Sequence, residues 1–204
     1  MELEIRRLTP ELIPDYIQFF DNTPHATGKE EHRCYCVWWT SCDCTGMDHS
    51  TVEKRRNLAA EFIRSGSIQG YLAYSGGKVV GWCNANTKAD CYECFCWRRF
   101  MGEVRREEDA GRIKSVFCFA IAPEVRGQGV ATALLQRVCE DAAKEGFIAV
   151  EAYPNREYIS AAEDFMGPFG IYQKLGFKPY YSTTTKFVMR MGGQCPQPIA
   201  AAPH

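Results

Sequence analysis

From Ser115 to Ala122 eight residues pass with hardly a polar side chain, and after a further seven the chain enters an amphipathic helix. An apolar run of that length suits a central strand covered on both faces of a sheet. In the helix, Val130, Leu134 and Val138 recur every four residues, as do Ala131, Leu135 and Cys139, while Arg137, Glu140, Asp141 and Lys144 take the other side until Gly146 ends the pattern. The junction reads Pro123-Glu124-Val125-Arg126-Gly127-Gln128-Gly129. Two glycines in a turn that opens directly on a helix let the backbone come close to a ligand, and the free N–H groups and positive helix end favour an anion such as a pyrophosphate. Arg126 adds a cation beside it. No Gly-Lys-Ser/Thr follows, so the turn is not a Walker loop, and a single Gly-x-Gly is not the dinucleotide fingerprint. On the glycines alone, a tight strand-to-helix turn without a ligand explains the pattern equally well.

The rest of the chain alternates strand and helix around this unit. Leu3, Ile5 and Leu8 suggest a short strand, and Thr9-Pro10-Glu11 starts a helix through Leu12, Ile13, Tyr16, Ile17 and Phe20. Ser50 or Thr51 caps a second helix that ends near Gly66. Tyr71–Tyr74 and Lys78–Trp82 flank Ser75-Gly76-Gly77 as a hairpin. A strand over 147–153, a helix through Ile171, Tyr172 and Leu175, and a strand pair at 177–181 and 186–191 close the pattern. These signals predict an α/β fold in which a mixed central sheet of six or seven strands is flanked by helices. They also predict one domain over 1–191, with irregular Cys- and aromatic-rich insertions at 21–50 and 88–113 and a frayed tail at 192–204.

Composition narrows the function classes. With 24 Lys+Arg against 25 Asp+Glu, the net charge of -1 offers no cationic field to hold nucleic acid or an acidic membrane surface. The charged start Met1-Glu2-Leu3-Glu4-Ile5-Arg6-Arg7 and the lack of a long apolar run point to the cytoplasm. Eleven cysteines, an odd number, then read as thiols, thiolates or metal ligands rather than disulfides.

Arg126-Gly127-Gln128-Gly129-Val130-Ala131, preceded by Ile121-Ala122-Pro123, resembles the acyl-CoA signature (Gln/Arg)-x-x-Gly-x-(Gly/Ala) of the GNAT N-acetyltransferases. Downstream, Ile171-Tyr172-Gln173-Lys174-Leu175-Gly176-Phe177 resembles a second motif of that family, a helix carrying Tyr and running into Gly-Phe. Cys34-Tyr35-Cys36-Val37-Trp38-Trp39 and Gly81-Trp82-Cys83-Asn84 further resemble a bacterial subgroup of undefined substrate. The resemblance implies acetyl-CoA as cosubstrate, with Phe119, Ala120 and Ile121 pairing with its pantetheine arm and Arg126, Gly127, Gln128, Gly129, Val130 and Ala131 wrapping its pyrophosphate. It also implies direct attack by an acceptor amine in a ternary complex, and Tyr172 as the acid that protonates the departing sulfur. The acceptor would be a small-molecule primary amine or a peptide or protein amine, and the enzyme a monomer or homodimer.

A general base is harder to find, because the central strand carries no carboxylate. Glu151, an acid within an apolar strand, is the first candidate; a salt bridge or a solvated face explains it as well. Glu93 and Glu103 are weaker options, and Cys118 invites an acyl-cysteine reading or that of an ordinary buried thiol. Cys34, Cys36, Cys42 and Cys44, with Cys91, Cys94 and Cys96 and the nearby His25, His32 and His49, could hold a structural zinc. The Cys-x-Cys spacing is tighter than that of zinc knuckles, so no metal ligands are assigned. Tyr35, Trp38, Trp39, Trp82, Trp97 and Phe100, with Asn84 and Asn86, either line an acceptor pocket or form the core beneath the two insertions. The alternative function is a thiol- or zinc-responsive acyl-CoA-binding protein without catalysis.

Overall fold

The computed structural model describes residues 2–160 and 162–192. Seven strands form one sheet: β1 (Glu4–Arg7), β2 (Gly70–Ser75), β3 (Lys78–Thr87), β4 (Ile113–Ile121), β5 (Ala149–Ala152), β6 (Lys178–Ser182) and β7 (Phe187–Gly192). Their order is β1-β2-β3-β4-β5-β7-β6, antiparallel except for the parallel pair β4–β5. That pair is parallel because the secure helix of the sequence, α4 (Val130–Lys144), carries the chain back between them. Gly192 closes β7, and the remainder of the expected tail, 193–204, lies outside the described residues.

Two layers cover the sheet. α4 packs on one face so closely that a Cβ on Gly81 would sit 2.7 Å from Val130 Cγ1. On the other face lies α1 (Ile13–Asn22), whose Tyr16 meets the Trp82 ring edge-on at 4.9 Å. α2 (Val52–Arg64) begins as its sequence predicts, with the Thr51 hydroxyl accepting the Lys54 N–H at 3.2 Å. Its Arg55, buried, donates to the carbonyls of Arg33 and His49, both at 2.7 Å, and of Glu31. One helix side chain thus satisfies three loop carbonyls and ties the first insertion down, which aromatic content alone could not do.

The second insertion is more ordered than its lack of period suggests. It contains α3 (Phe95–Phe100), capped by the Cys94 sulfur, which accepts the Trp97 N–H at 3.3 Å. A six-residue helix is too short to display a 3.6-residue period, and Cys is not a usual cap, so neither signal was visible. The short α5 (Phe169–Lys174) leads into β6.

Candidate active site

β4 and β5 pair only from Ile113↔Ala149 to Val116↔Ala152. At the next residue the β3–β4 register slips, leaving Phe117 as a bulge between the pairs Asn84↔Cys118 and Ala85↔Val116. Beyond it Phe119, Ala120 and Ile121 have no β5 partner, and the sheet opens into a fork. The Phe119 N–H on the open side of β4 is bonded to the Phe165 carbonyl at 2.7 Å, and the Ile121 carbonyl accepts Arg126 Nε at 3.2 Å. A strap at 165–167 therefore lies along the strand edge where a ligand's amides could pair.

At the end of β4 the glycine turn has the conformation its residues demand. Gly127 and Gly129 have φ of +77° and +87°, and a Cβ at either would meet nothing within 4 Å. Backbone conformation rather than crowding requires glycine there, and the space above the turn is open to a bulky anion. Gly129 is the N-cap of α4, no side chain caps the helix, and its first turn has no acid. The first helical bond runs from the Ala133 N–H to the Gly129 carbonyl at 3.0 Å, so the N–H groups ahead of it face the same space. These features fit a pyrophosphate. Val130 contributes only its backbone, since its side chain is buried against the sheet, and Gln128 turns back to the Glu124 carbonyl at 3.0 Å.

Two cavities open on the fork. The first, about 320 Å³, is lined by Phe119, Ala120, Ile121, Arg126 and Ala131. The second, about 270 Å³, is walled by Trp38, Trp39, Phe95 and Phe100, with Arg99 beside them. His25, Cys34, Cys118 and Phe165 border both, so Cys118 stands where the cavities meet. The aromatics thus divide: Trp38, Trp39 and Phe100 line the second cavity, joined by Phe95, whereas Tyr35, Trp82 and Trp97 are core residues and line neither. Trp39 belongs to both groups, for it also stacks on the bulge residue Phe117 at 4.7 Å. Asn84 and Asn86 are buried and bond the Trp39 and Ser67 carbonyls at 3.0 and 3.1 Å.

The two residues expected to be catalytic lie apart. Tyr172 is fully buried on α5, donates its hydroxyl to the Met166 carbonyl in the strap, and meets Phe177 edge-on at 5.4 Å. Burial pushes its phenol well above the usual value, which keeps it protonated. Glu151 does not line either cavity. It is fully buried on β5, ion-paired with Lys88 at 2.7 Å and with Arg190 through Nε at 3.0 Å, and Glu107 joins both cations at 2.6 and 2.8 Å. The solvated face that strand alternation suggests does not exist there, because the second insertion covers it. Glu151 is thus engaged by two cations away from both cavities. Glu93 is exposed and paired with Arg106 at 2.9 Å, and Glu103 accepts the Thr184 N–H at 2.7 Å.

His25, by its sequence a candidate metal ligand alone, borders both cavities. Burial, helped by His32 and Arg55, lowers its pKa, so the ring is neutral at pH 7. Its Nδ1 lies 2.9 Å from Thr27 Oγ1 and 3.3 Å from the Thr27 N–H, which orients the ring. Spacing could not reveal this, because the loop geometry sets it.

Cys34, Cys36, Cys42, Cys44, Cys83, Cys91, Cys94, Cys96 and Cys118 form no disulfide, and among the described residues no group of three or more His, Cys, Asp or Glu is arranged to hold a metal ion. Cys42 and Cys44 instead pair with each other at 3.1 Å and with Thr40 Oγ1 at 3.1 and 3.2 Å. No described helix is long and apolar enough to cross a membrane.

Residues 31–167 match the Acetyltransferase (GNAT) family. Solved structures with the same fold include an N-acetyltransferase from Staphylococcus aureus, at 14% identity and TM-score 0.52, with 95% of this chain and 100% of that one covered. Another is the PaiA N-acetyltransferase from Thermoplasma acidophilum in complex with coenzyme A, at 17% identity and TM-score 0.54, covering 94% and 99%. A third is the ribosomal-protein-S18-alanine N-acetyltransferase from Escherichia coli, at 14% identity and TM-score 0.50, covering 97% and 98%. No curated protein matches the chain.

Proposed function

The chain belongs to the GNAT acetyltransferase family, and on that premise we propose that it transfers the acetyl group of acetyl-CoA to a primary amine seated in the aromatic cavity, in the cytoplasm. The observation that carries this reading is the junction of the two cavities at Cys118, one bounded by the glycine turn and the other by aromatic rings. In this reading the N–H groups of Gly127, Gly129, Val130 and Ala131 and the Arg126 guanidinium bind the pyrophosphate, while the Gln128 N–H stays with the Val125 carbonyl at 3.3 Å. The open edge of β4 at Phe119 to Ile121 pairs with the pantetheine amides, which requires the Phe165 carbonyl to yield the Phe119 N–H. The acetyl-CoA thioester supplies the activated acyl group.

The amine then attacks directly from the aromatic side in a ternary complex. Its proton passes to water at the cavity mouth; Asp164, which also borders the first cavity, is engaged by Asn155 Nδ2 at 2.8 Å and the Ile159 N–H at 3.0 Å. Tyr172 acts as the acid, its hydroxyl released from Met166 when the strap shifts. Trp38, Phe95 and Phe100 favour an acceptor with an apolar body, either a small molecule or the end of a peptide. The Escherichia coli neighbour, named for a ribosomal-protein alanine, shows that this fold serves protein acceptors in at least one case.

The test is to follow CoA release from acetyl-CoA over a panel of aliphatic, aromatic and peptide amines, with native mass spectrometry of the protein and acetyl-CoA alongside. We expect a saturable adduct and amine-dependent release. A protein that neither binds acetyl-CoA nor releases CoA with any amine would refute the reading.

A further inference from the structure

Cys36 lines the aromatic cavity next to Cys118, and its setting differs from that of the other thiols. Tyr35 and Cys36, with φ of +45° and +53°, are the only non-glycine residues with positive φ among the described residues. Two successive side-chain-bearing residues adopt that conformation only where the surroundings over-determine it. Here the Tyr35 carbonyl accepts the Tyr16 hydroxyl at 2.8 Å, and the Tyr35 hydroxyl reaches Asp21 at 2.6 Å. The turn aims the Cys36 sulfur at the middle of the sheet. Asn84 Nδ2 donates to it at 3.4 Å, and the fully buried Trp82, whose indole N–H has no hydrogen-bond partner, stands beside it, as does the Cys118 thiol. Asn84 Oδ1 is also buried without a partner.

Burial by itself raises a thiol pKa, and it does so at Cys34, to about 12, and strongly at Cys83. At Cys36 burial acts in the same direction, but its polar neighbours Cys118, Trp82 and Asn84, the last through a hydrogen bond at 3.4 Å, outweigh it and leave the thiol below its ordinary value. Donors converging on a sulfur stabilise its thiolate, the nucleophilic form. The strained turn and the Asn84 donor together hold this sulfur at the wall of the aromatic cavity.

We propose that Cys36 is an internal acyl acceptor, which takes the acetyl group from acetyl-CoA when no amine fills the aromatic cavity. The proposal rests on the acetyl-CoA reading above. The Cys36 thiolate attacks the thioester carbonyl, a new carbon–sulfur bond forms to Cys36, the bond to the CoA sulfur breaks, and CoA leaves as its thiolate. One thioester replaces another, with no change of oxidation state, so the step is reversible by CoA. An acceptor amine competes for the same carbonyl.

The experiment incubates the full chain with acetyl-CoA and no amine, quenches in acid, and locates any acetyl group by intact-mass and peptide mass spectrometry. Native mass spectrometry of the same sample reports acetyl-CoA binding independently. We expect one acetyl group on the peptide containing Cys36, removed by excess CoA and absent from a Cys36→Ala variant. In the unmodified chain, which avoids any folding defect of the variant, iodoacetamide should alkylate Cys36 ahead of Cys83, and acetyl-CoA at 100 times its Kd should slow that alkylation roughly 100-fold. Bound acetyl-CoA with no acetyl group on the protein, or with the group on another residue, overturns the proposal and leaves the family activity standing. Absence of acetyl-CoA binding overturns both.

Discussion

Tyr172 and Phe119 donate to successive carbonyls of one strap, Met166 and Phe165, so two donors assigned to the cosubstrate are held by two neighbouring residues. Tyr172→Phe removes one hydroxyl without opening a cavity. If that hydroxyl is the acid, kcat should fall about 100-fold, a typical size for general-acid catalysis, while acetyl-CoA affinity is unchanged. Equal turnover in the variant would leave the hydroxyl with the strap alone. Gly129 offers a complementary test, because its φ of +87° strains any side chain and the space beside it is open, with nothing within 4 Å of an added Cβ. Gly129→Val should weaken acetyl-CoA binding at least 10-fold by calorimetry, with circular dichroism unchanged, since the position is exposed.

At the scale of elements, the pairing of β5 with β7 is fastened by Lys88, Glu107, Glu151 and Arg190, which join the second insertion to the sheet. Lys88 is fully buried, so Lys88→Met leaves Glu151 with Arg190 alone and should cost about 3 kcal/mol in urea unfolding. The network also sets a pH window. Burial would raise the Glu107 carboxyl, but Lys88 and Arg190 outweigh it and hold it below the usual value. Its contribution is complete above the unfolded carboxylate pKa of about 4.3 and is lost as pH falls through the lowered one. Burial would lower the Lys88 ammonium, but Glu151 and Glu107 outweigh it and raise it. That contribution is complete below the unfolded lysine pKa of about 10.4 and is lost as pH rises through the raised one. Thermal unfolding should therefore show no change from this network between about pH 5 and 10, and a decline on both sides.

For the whole molecule, a ligand that spans β4, the glycine turn and the strap stabilises the native state by mass action. Acetyl-CoA at 100 times its Kd contributes about 2.7 kcal/mol, which for a chain of this size should raise Tm by roughly 5–10 °C in a thermal-shift assay. A shift under 1 °C at saturation would mean that no such site forms. The Gly129→Val variant should lose most of the shift at the same concentration.

The sequence by itself determined what depends on near neighbours along the chain. The α4 stripe from Val130 to Cys139, the Thr51 cap, the Gly76-Gly77 hairpin and the Arg126–Ala131 turn are each specified within about a dozen residues, and each stands in the structure as read. The mixed sheet and the lining of the first cavity by Phe119, Ala120, Ile121, Arg126 and Ala131 follow from them. What only the tertiary structure decided depends on contacts between residues far apart in the chain. Glu151 alternates as an exposed acid would, and it became a buried ion partner because the second insertion brought Lys88 and Glu107 over it. Cys36 is one thiol among eleven in the sequence, and Asn84 and Trp82, nearly fifty residues away, give it its surroundings. Burial and donor convergence are sums over space, whereas local pattern records only which residues are neighbours in the chain.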